Sequence, residues 1–278
     1  MMAPHTPLAA FFLEDSSSRN FCLLHQPETE TEIRGALLYL HPFAEELNKS
    51  RRMASLQASA LARAGWWVLQ VDLHGCGDSA GDFADATWER WVSDARLAAN
   101  WLHDRSGVAP GLWGLRSGCL LAAAVASGLE WAPDLIFWQP VTSGRQHLQQ
   151  FLRVKLAGDM LNIARSSGGS TGQFREQLRS GAAIEIGGYM LSPELALGLD
   201  AATLEPPMRQ GRLLWFELSG ATTAELSPAG RLGVEAWRAA GWNLSVAAMT
   251  GVAFWQSQEI EEIPELIEAT TRLLGGPA

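Results

Sequence analysis

The chain has 278 residues, enough for one α/β domain with an insertion or for two small domains, and its 47% hydrophobic content suits a large core that needs no staples. A net charge of −9 argues against a nucleic-acid binder, which carries a basic stripe. Cys22, Cys76 and Cys119 show neither metal-ligand spacing nor a disulfide framework, so a reducing compartment is expected, with no metal and no cofactor.

Residues 1–13 lack the basic start and long apolar core of a secretory signal, and no apolar run approaches bilayer-spanning length. A soluble cytoplasmic protein is expected. Residues 8–14 and 20–25 read as short strands around Asp15-Ser16-Ser17-Ser18. After a polar loop, Gly35-Ala36-Leu37-Leu38-Tyr39-Leu40 reads as a strand buried on both faces. Asn48 or Ser50 is placed to cap a helix running to about Ala64, before a stop at Gly65. Trp66-Trp67-Val68-Leu69-Gln70-Val71-Asp72 is the next strand. Thr87 then caps an amphipathic helix with Trp88, Trp91, Val92, Ala95, Ala98 and Leu102 at spacings of three and four.

Further strands are expected at 110–113, 134–141, 212–218 and 243–249, and a final helix at about 263–274. Residues 143–210 break the alternation, with helical pieces flanking Ser166-Ser167-Gly168-Gly169-Ser170-Thr171-Gly172, which reads as a flexible stretch. The expected architecture is α/β: a mostly parallel central sheet with helices on both faces, a core formed by 1–142 and 211–278, and a helical cap inserted at 143–210. The twelve tryptophans spread from Trp66 to Trp255, most of them core and several available to line a roomy apolar pocket.

The most informative stretch is Gly114-Leu115-Arg116-Ser117-Gly118, between a strand-like run and the helix-like Cys119-Leu120-Leu121-Ala122-Ala123-Ala124. It resembles the G-x-S-x-G nucleophile elbow of α/β-hydrolases, with both glycines in place but arginine at the tip and serine one residue late. Arginine stays protonated and cannot attack a carbonyl; it either pairs with a nearby acid or donates to a carboxylate or phosphate ligand.

His41-Pro42-Phe43-Ala44 occupies the place of the oxyanion loop, where the N–H groups of Phe43 and Ser117 would be the donors; the alternative is a plain loop with Glu45 or Glu46 as a capping acid. Gly75-Cys76-Gly77-Asp78-Ser79 fits the D-x-x-G-x-G-x-S turn of the same fold better than a dinucleotide fingerprint, because no helix starts directly at the glycines. Neither Glu217 nor Glu225 sits cleanly where the triad acid belongs. No histidine follows His147, and Phe254 and Trp255 fill the region where the triad histidine belongs, so ordinary Ser-His-Asp hydrolysis is not expected. Ser117 or Cys119 as nucleophile, with His41 or a ligand-borne group as base, is the remaining catalytic arrangement. Against it stand a buried apolar role for Cys119 and loop-anchoring roles for His41 and His74.

The run His41-Pro42-Phe43-Ala44-Glu45-Glu46-Leu47-Asn48-Lys49-Ser50-Arg51-Arg52-Met53, with Asp72-Leu73-His74-Gly75-Cys76-Gly77-Asp78-Ser79 and Trp113-Gly114-Leu115-Arg116, resembles the α/β-hydrolase branch called exosortase A system-associated hydrolase 2. The similarity runs from about Phe11 to the final helix, and that group also carries arginine at the elbow tip. The resemblance implies a bacterial cytoplasmic protein linked to exosortase-dependent sorting or exopolysaccharide production, with an exosortase-system protein as a partner; it names no substrate. Three readings follow. The first is a non-hydrolytic binder of a small anionic or acyl ligand through Arg116, Phe43, Ser117, Phe254 and Trp255, with Trp138 as a further wall. The second is an unorthodox esterase, thioesterase or acyltransferase using Ser117 or Cys119. The third is a scaffold docking a protein partner through the cap.

Overall fold

The computed structural model describes residues 7–15, 19–161 and 170–275. Ser16-Ser17-Ser18 and Ser166-Ser167-Gly168-Gly169, expected above as a turn and part of a flexible stretch, lie outside the described residues. Two hairpin strands, β1 (Leu8–Glu14) and β2 (Arg19–His25), open the chain, followed by β3 (Gly35–Leu40), α1 (Glu45–Arg63) and β4 (Trp66–Val71). Next come α2 (Trp88–Ser106), β5 (Gly111–Leu115), α3 (Gly118–Ala126) and β6 (Leu135–Trp138). The insertion holds α4 (Gly144–Leu161), α5 (Thr171–Arg179), β7 (Ile184–Ile186), β8 (Tyr189–Leu191) and α6 (Pro193–Ala201). The core resumes with β9 (Arg212–Ser219), α7 (Pro228–Ala239), β10 (Asn243–Thr250) and α8 (Pro264–Gly275).

Eight strands form one sheet in the order β1-β2-β4-β3-β5-β6-β9-β10. The β1–β2 and β2–β4 pairs are antiparallel and the rest are parallel. A parallel sheet must be covered on both faces, and the period of two in β3 serves this directly. Leu38 and Leu40 pack into one core with α2, α3 and α7, and Leu37 and Tyr39 into a second with α1 and α8. Strands β3, β5 and β6 are almost wholly buried, which explains their continuous apolar runs.

Several expected boundaries hold. Thr87 caps α2 through its Oγ1, which accepts from the Arg90 N–H at 3.0 Å, and Gly65 ends α1 in the left-handed region at φ 92°. Others move. Helix α1 begins at Glu45, not at Asn48 or Ser50, and the residue before it, Ala44, supplies no side-chain cap. The strand expected over 134–141 is only Leu135–Trp138, because Gln139 turns into positive φ (45°). The insertion also carries a short β7–β8 hairpin beside its helices. Of the stretch expected to be flexible, Thr171 and Gly172 form the first turn of α5, which Ser170 caps by accepting from the Gln173 N–H at 3.2 Å.

The insertion shares its core with the sheet. Leu148, Leu152, Phe174, Leu178, Ile184 and Leu195 belong to the same buried cluster as α2 and α3. Helix α6 lies so close to α2 that a methyl group on Gly198 would overlap the Trp88 side chain.

The elbow explains its own glycines. A Cβ on Gly118 would strike the carbonyl of Leu40 and lie 2.9 Å from that of His41, while one on Gly114 would come within 2.6 Å of the Cys119 nitrogen. Helix α3 can begin against β3 and β5 only because both positions lack side chains. Gly118→Ala is therefore expected to lower stability by about 3 kcal/mol or more, since backbone and not a flexible side chain must yield; urea denaturation measures it.

Candidate functional site

Among the described residues, the non-glycine positions with positive φ are Ala44 (51°), Arg116 (56°) and Gln139 (45°). They follow β3, β5 and β6, three neighbouring parallel strands, at their carboxyl ends. Strained conformations of this kind concentrate where a fold positions side chains for a task. Arg116 and Gln139 are held in place by bonds to neighbouring segments. The Arg116 N–H donates to Trp138 O at 2.9 Å, and the Arg116 carbonyl accepts from Cys119 at 3.1 Å and Val141 at 3.3 Å. Gln139 donates its N–H to Phe216 O at 2.7 Å, and its Oε1 accepts from the Leu218 N–H at 2.6 Å.

The elbow thus projects Arg116, and the guanidinium meets an acid. Its Nε donates to Glu46 Oε1 at 3.3 Å, and its Cζ stands 5.3 Å from the centre of the Trp255 ring. Both charged side chains are largely buried, at 13% and 14% exposed. Gln256 Nε2 also donates to Glu46 Oε1 at 3.4 Å, while Lys49 Nζ donates to the Gln256 carbonyl at 3.2 Å. Burial pushes the Glu46 carboxyl upward, and the Arg116 charge pulls it back. Of the two readings of Arg116, the ion pair is the one the structure makes; the acid is Glu46, in the first turn of α1.

Above this cluster lies a cleft of about 450 Å³, between the start of α1, helix α4 of the insertion, the β7–β8 hairpin and the loop after β10. Phe43, Phe151, Val154, Ile186 and Trp255 supply apolar wall, and Glu45, Glu46, Lys49, His147, Gln150 and Gln256 supply polar wall. The Phe43 ring sits edge-on to Phe151 at 5.1 Å and to His147 at 6.0 Å. Tyr189 donates its hydroxyl to Glu45 Oε2 at 3.3 Å and accepts from Asn48 Nδ2 at 3.0 Å. Two polar atoms of the wall are buried with no hydrogen-bond partner among the described residues, Glu46 Oε2 and His147 Nδ1.

The sequence-derived candidates divide. Phe43 and Trp255 line the cleft. Phe254 does not: it is 1% exposed and packs behind, its ring 5.0 Å from Trp255 and 6.3 Å from Trp138. Trp138 is equally buried and donates Nε1 to Thr270. Arg116 lies beneath the wall, reaching the cleft through Glu46. Ser117 is 5% exposed at the start of α3 with no capping bond from its side chain.

Cys119 is a correction as a nucleophile. It is fully buried, its Sγ points at the carbonyls of Gly114 (3.2 Å) and Trp138 (3.8 Å), and burial raises its pKa well above the ordinary thiol value despite Arg116. His41 is a correction as a base. Its Nδ1 donates to Pro42 O at 2.8 Å and its Nε2 accepts from the Leu73 N–H at 3.3 Å, so both nitrogens are committed; burial holds its pKa down at about 4. His74 belongs to the turn after β4, its ring against Gly81.

The acid position is also taken by architecture. Glu217 accepts from Trp215 Nε1 at 3.0 Å and from the Ser227 N–H at 2.7 Å, tying β9 to the start of α7; Glu225 pairs at the surface with Arg231. Asp72 binds the turn, accepting from Asp78 N and Arg51 at 3.2 Å, and a Cβ on Gly77 would run into it.

His147 escaped the sequence reading. The usable signal was its place in α4: residues 147, 150, 151 and 154 follow the spacing of one helix face, and all four line the cleft. Burial and the Arg116 charge drive its pKa down to about 3, so the ring is neutral. Among the described residues no cluster of His, Cys, Asp or Glu is arranged to hold a metal ion, and no helix is long and apolar enough to cross a membrane.

No family model matches this chain, and no curated protein does. Many solved structures match in fold. Est1E from Butyrivibrio proteoclasticus with bound ferulic acid shares 14% identity over 95% of this chain and 98% of its own, at a TM-score of 0.67. A highly thermostable carboxyl esterase from Bacillus coagulans, in complex with glycerol, shares 10% over 97% and 98%, at 0.64. XC6422 from Xanthomonas campestris, an α/β serine hydrolase without lid, shares 16% over 97% and 95%, at 0.57. At these identities the likeness establishes the fold, and the chain has the α/β-hydrolase fold.

Two outcomes follow from the site's electrostatics. Arg116→Ala leaves Glu46 buried without its cation and is expected to lower stability by about 3 kcal/mol; adding Glu46→Gln should recover more than half, as a double-mutant cycle by denaturation would show. His147 and His41 have folded pKa values near 3 and 4, below the ordinary 6.5. The unfolded chain therefore takes up protons first on acidification. The stability these groups contribute is complete above pH 6.5 and falls as pH drops toward 4 and 3, each by about 1.4 kcal/mol per pH unit at most. His147→Gln should flatten that slope by one such increment, read from melting temperature against pH.

Proposed function

We propose that this chain binds an acyl-bearing or anionic small molecule without hydrolysing it, within a cytoplasmic arm of a bacterial exosortase or exopolysaccharide system. The observation that carries the reading is the Arg116–Glu46 pair beneath Trp255. A protonated guanidinium stands at the elbow tip, and an indole stands in the region where a base belongs. The serine and the histidine of a triad are both missing from those two places, while the fold's crevice stays open as a cleft of about 450 Å³.

An open cleft with apolar walls favours ligand binding over a scaffold whose pocket is a relic. Of the two ligand classes, the acyl arm draws on Phe43, Phe151, Val154, Ile186 and Trp255. The anionic arm depended on a free Arg116, whose charge is matched by Glu46. Arg116 acts here by neutralising that acid and fixing it in the wall. The link to exosortase-dependent sorting, and to a protein partner there, rests on the resemblance of the 41–53 and 72–79 runs described above.

The test is hydrolysis of short- and long-chain p-nitrophenyl esters and acyl thioesters by purified protein beside its Arg116→Ser and Ser117→Ala variants. No turnover above buffer is expected from any of them, Arg116→Ser included, because a serine at the tip still lacks the triad histidine, and His147, its pKa held down at about 3, is too weakly basic to replace it. Turnover by the parent protein that vanishes in Ser117→Ala would overturn the proposal and restore an enzyme.

A further inference from the structure

The sheet ends on β10, and that edge is open. Asn243 donates its N–H to the Gly211 carbonyl at 3.1 Å, and Gly251, just past the strand, donates to that of Ser219 at 3.0 Å, so the odd-numbered residues face β9. In a parallel pair a residue sends its N–H and its C=O to the same side, and the period of two turns the backbone of Leu244, Val246, Ala248 and Thr250 outward. Among the described residues no other segment hydrogen-bonds that backbone.

Edge strands of folded proteins are blunted by charge, proline, a bulge or a covering segment. Strand β1, the opposite edge, follows Pro7 and closes on Glu14, which pairs with Arg19 at 2.9 Å. Strand β10 carries no such device. Its eight residues, Asn243-Leu244-Ser245-Val246-Ala247-Ala248-Met249-Thr250, include no charge, proline or glycine and pair with β9 in unbroken register. From Leu244 to Met249 they are only half-buried.

What fits this edge is the same strand, antiparallel, across a two-fold axis. One register uses all four outward residues: Leu244 opposite Thr250 of the second copy, and Val246 opposite its Ala248, each pair exchanging both N–H···O bonds. The axis then passes through Ala247, which meets itself in a non-hydrogen-bonded pair, where Cα atoms approach to about 4.5 Å and side chains crowd most. The strand has a small residue at that point, and on the same face Ser245 comes opposite Met249. Leucine thus meets threonine, valine meets alanine and methionine meets serine, a larger side chain against a smaller one each time, with no like charges opposed.

We infer that two copies of this chain associate through β10 in this register, joining their sheets across an isologous interface. The inference is independent of the ligand proposed above. Sedimentation of the full chain at tens of micromolar is expected to give about twice the 30.2 kDa of one chain. Ala248→Pro keeps every bond to β9, because the nitrogen it alters faces outward, and should weaken association about ten-fold or more.

Cross-linking reads the register. Ala247→Cys should form an intermolecular disulfide under oxidised glutathione, since the paired Cα atoms lie within bridging range. Ser245→Cys, on the same face but about 13 Å from its own counterpart, should not. The native thiols Cys22, Cys76 and Cys119 are buried and stay out of the reaction. A monomer at these concentrations overturns the inference, as does a dimer that Ala247→Cys fails to link or that Ser245→Cys links equally well. A mass that grows without limit, with β10 meeting the β1 edge of the next copy, overturns it too. The parent mass and the cross-links decide whether or not Ala248→Pro folds.

Discussion

The contact on which the site depends is the approach of Gly118 to the carbonyl oxygens of Leu40 and His41. It brings the start of α3 down onto the ends of β3 and β5 and forces the chain between them through a turn of positive φ. Everything at the crevice is arranged around that turn. The Arg116 peptide is bound on both sides, so its side chain leaves in one direction only. Ala44 and Gln139 also adopt positive φ, after the flanking strands β3 and β6.

Given that direction, the identity of the tip residue sets the chemistry of the crevice. A serine there needs a base and an acid around it. An arginine needs a counter-charge, because a largely buried guanidinium without one is expensive. Glu46 meets that need from the first turn of α1, Gln256 steadies the carboxylate, and Trp255 covers the guanidinium. The cluster is self-consistent as an ion pair. That leaves Glu217, near the acid's expected place, free to tie β9 to α7 instead.

Much of this was legible in the residues. The elbow glycines, the arginine at the tip, the missing histidine and the alternation of strands and helices all follow from local chemistry, which the chain carries in short windows. The sharp turn at Gln139 was invisible, since only tertiary hydrogen bonds hold a glutamine at positive φ. Helix α7 also escaped, although Ser227 accepts from the Gly230 N–H at 2.9 Å and Pro228 follows it as a helix-starting pair. At the site, Arg116, Phe43 and Trp255 were found because they lie on motif positions. Glu46 was seen only as a cap, and His147 not at all, because their importance comes from partners 70 and more residues away or from a helix face of an insertion with no motif of its own. Phe254, Cys119 and His41 were near the right places in the chain but face the interior, a distinction that period alone does not draw at a loop or at the first turn of a fully buried helix.

The seat of α6 on α2 has a bearing on traffic into the crevice. With no room even for a methyl group between Gly198 and Trp88, and with Leu195 and Leu199 sunk in the same core as α2, that end of the insertion cannot lift without opening the main core. That end of the crevice is therefore a fixed frame. The rim side chains Lys49, Tyr189 and Gln256 change rotamer far faster than a domain swings.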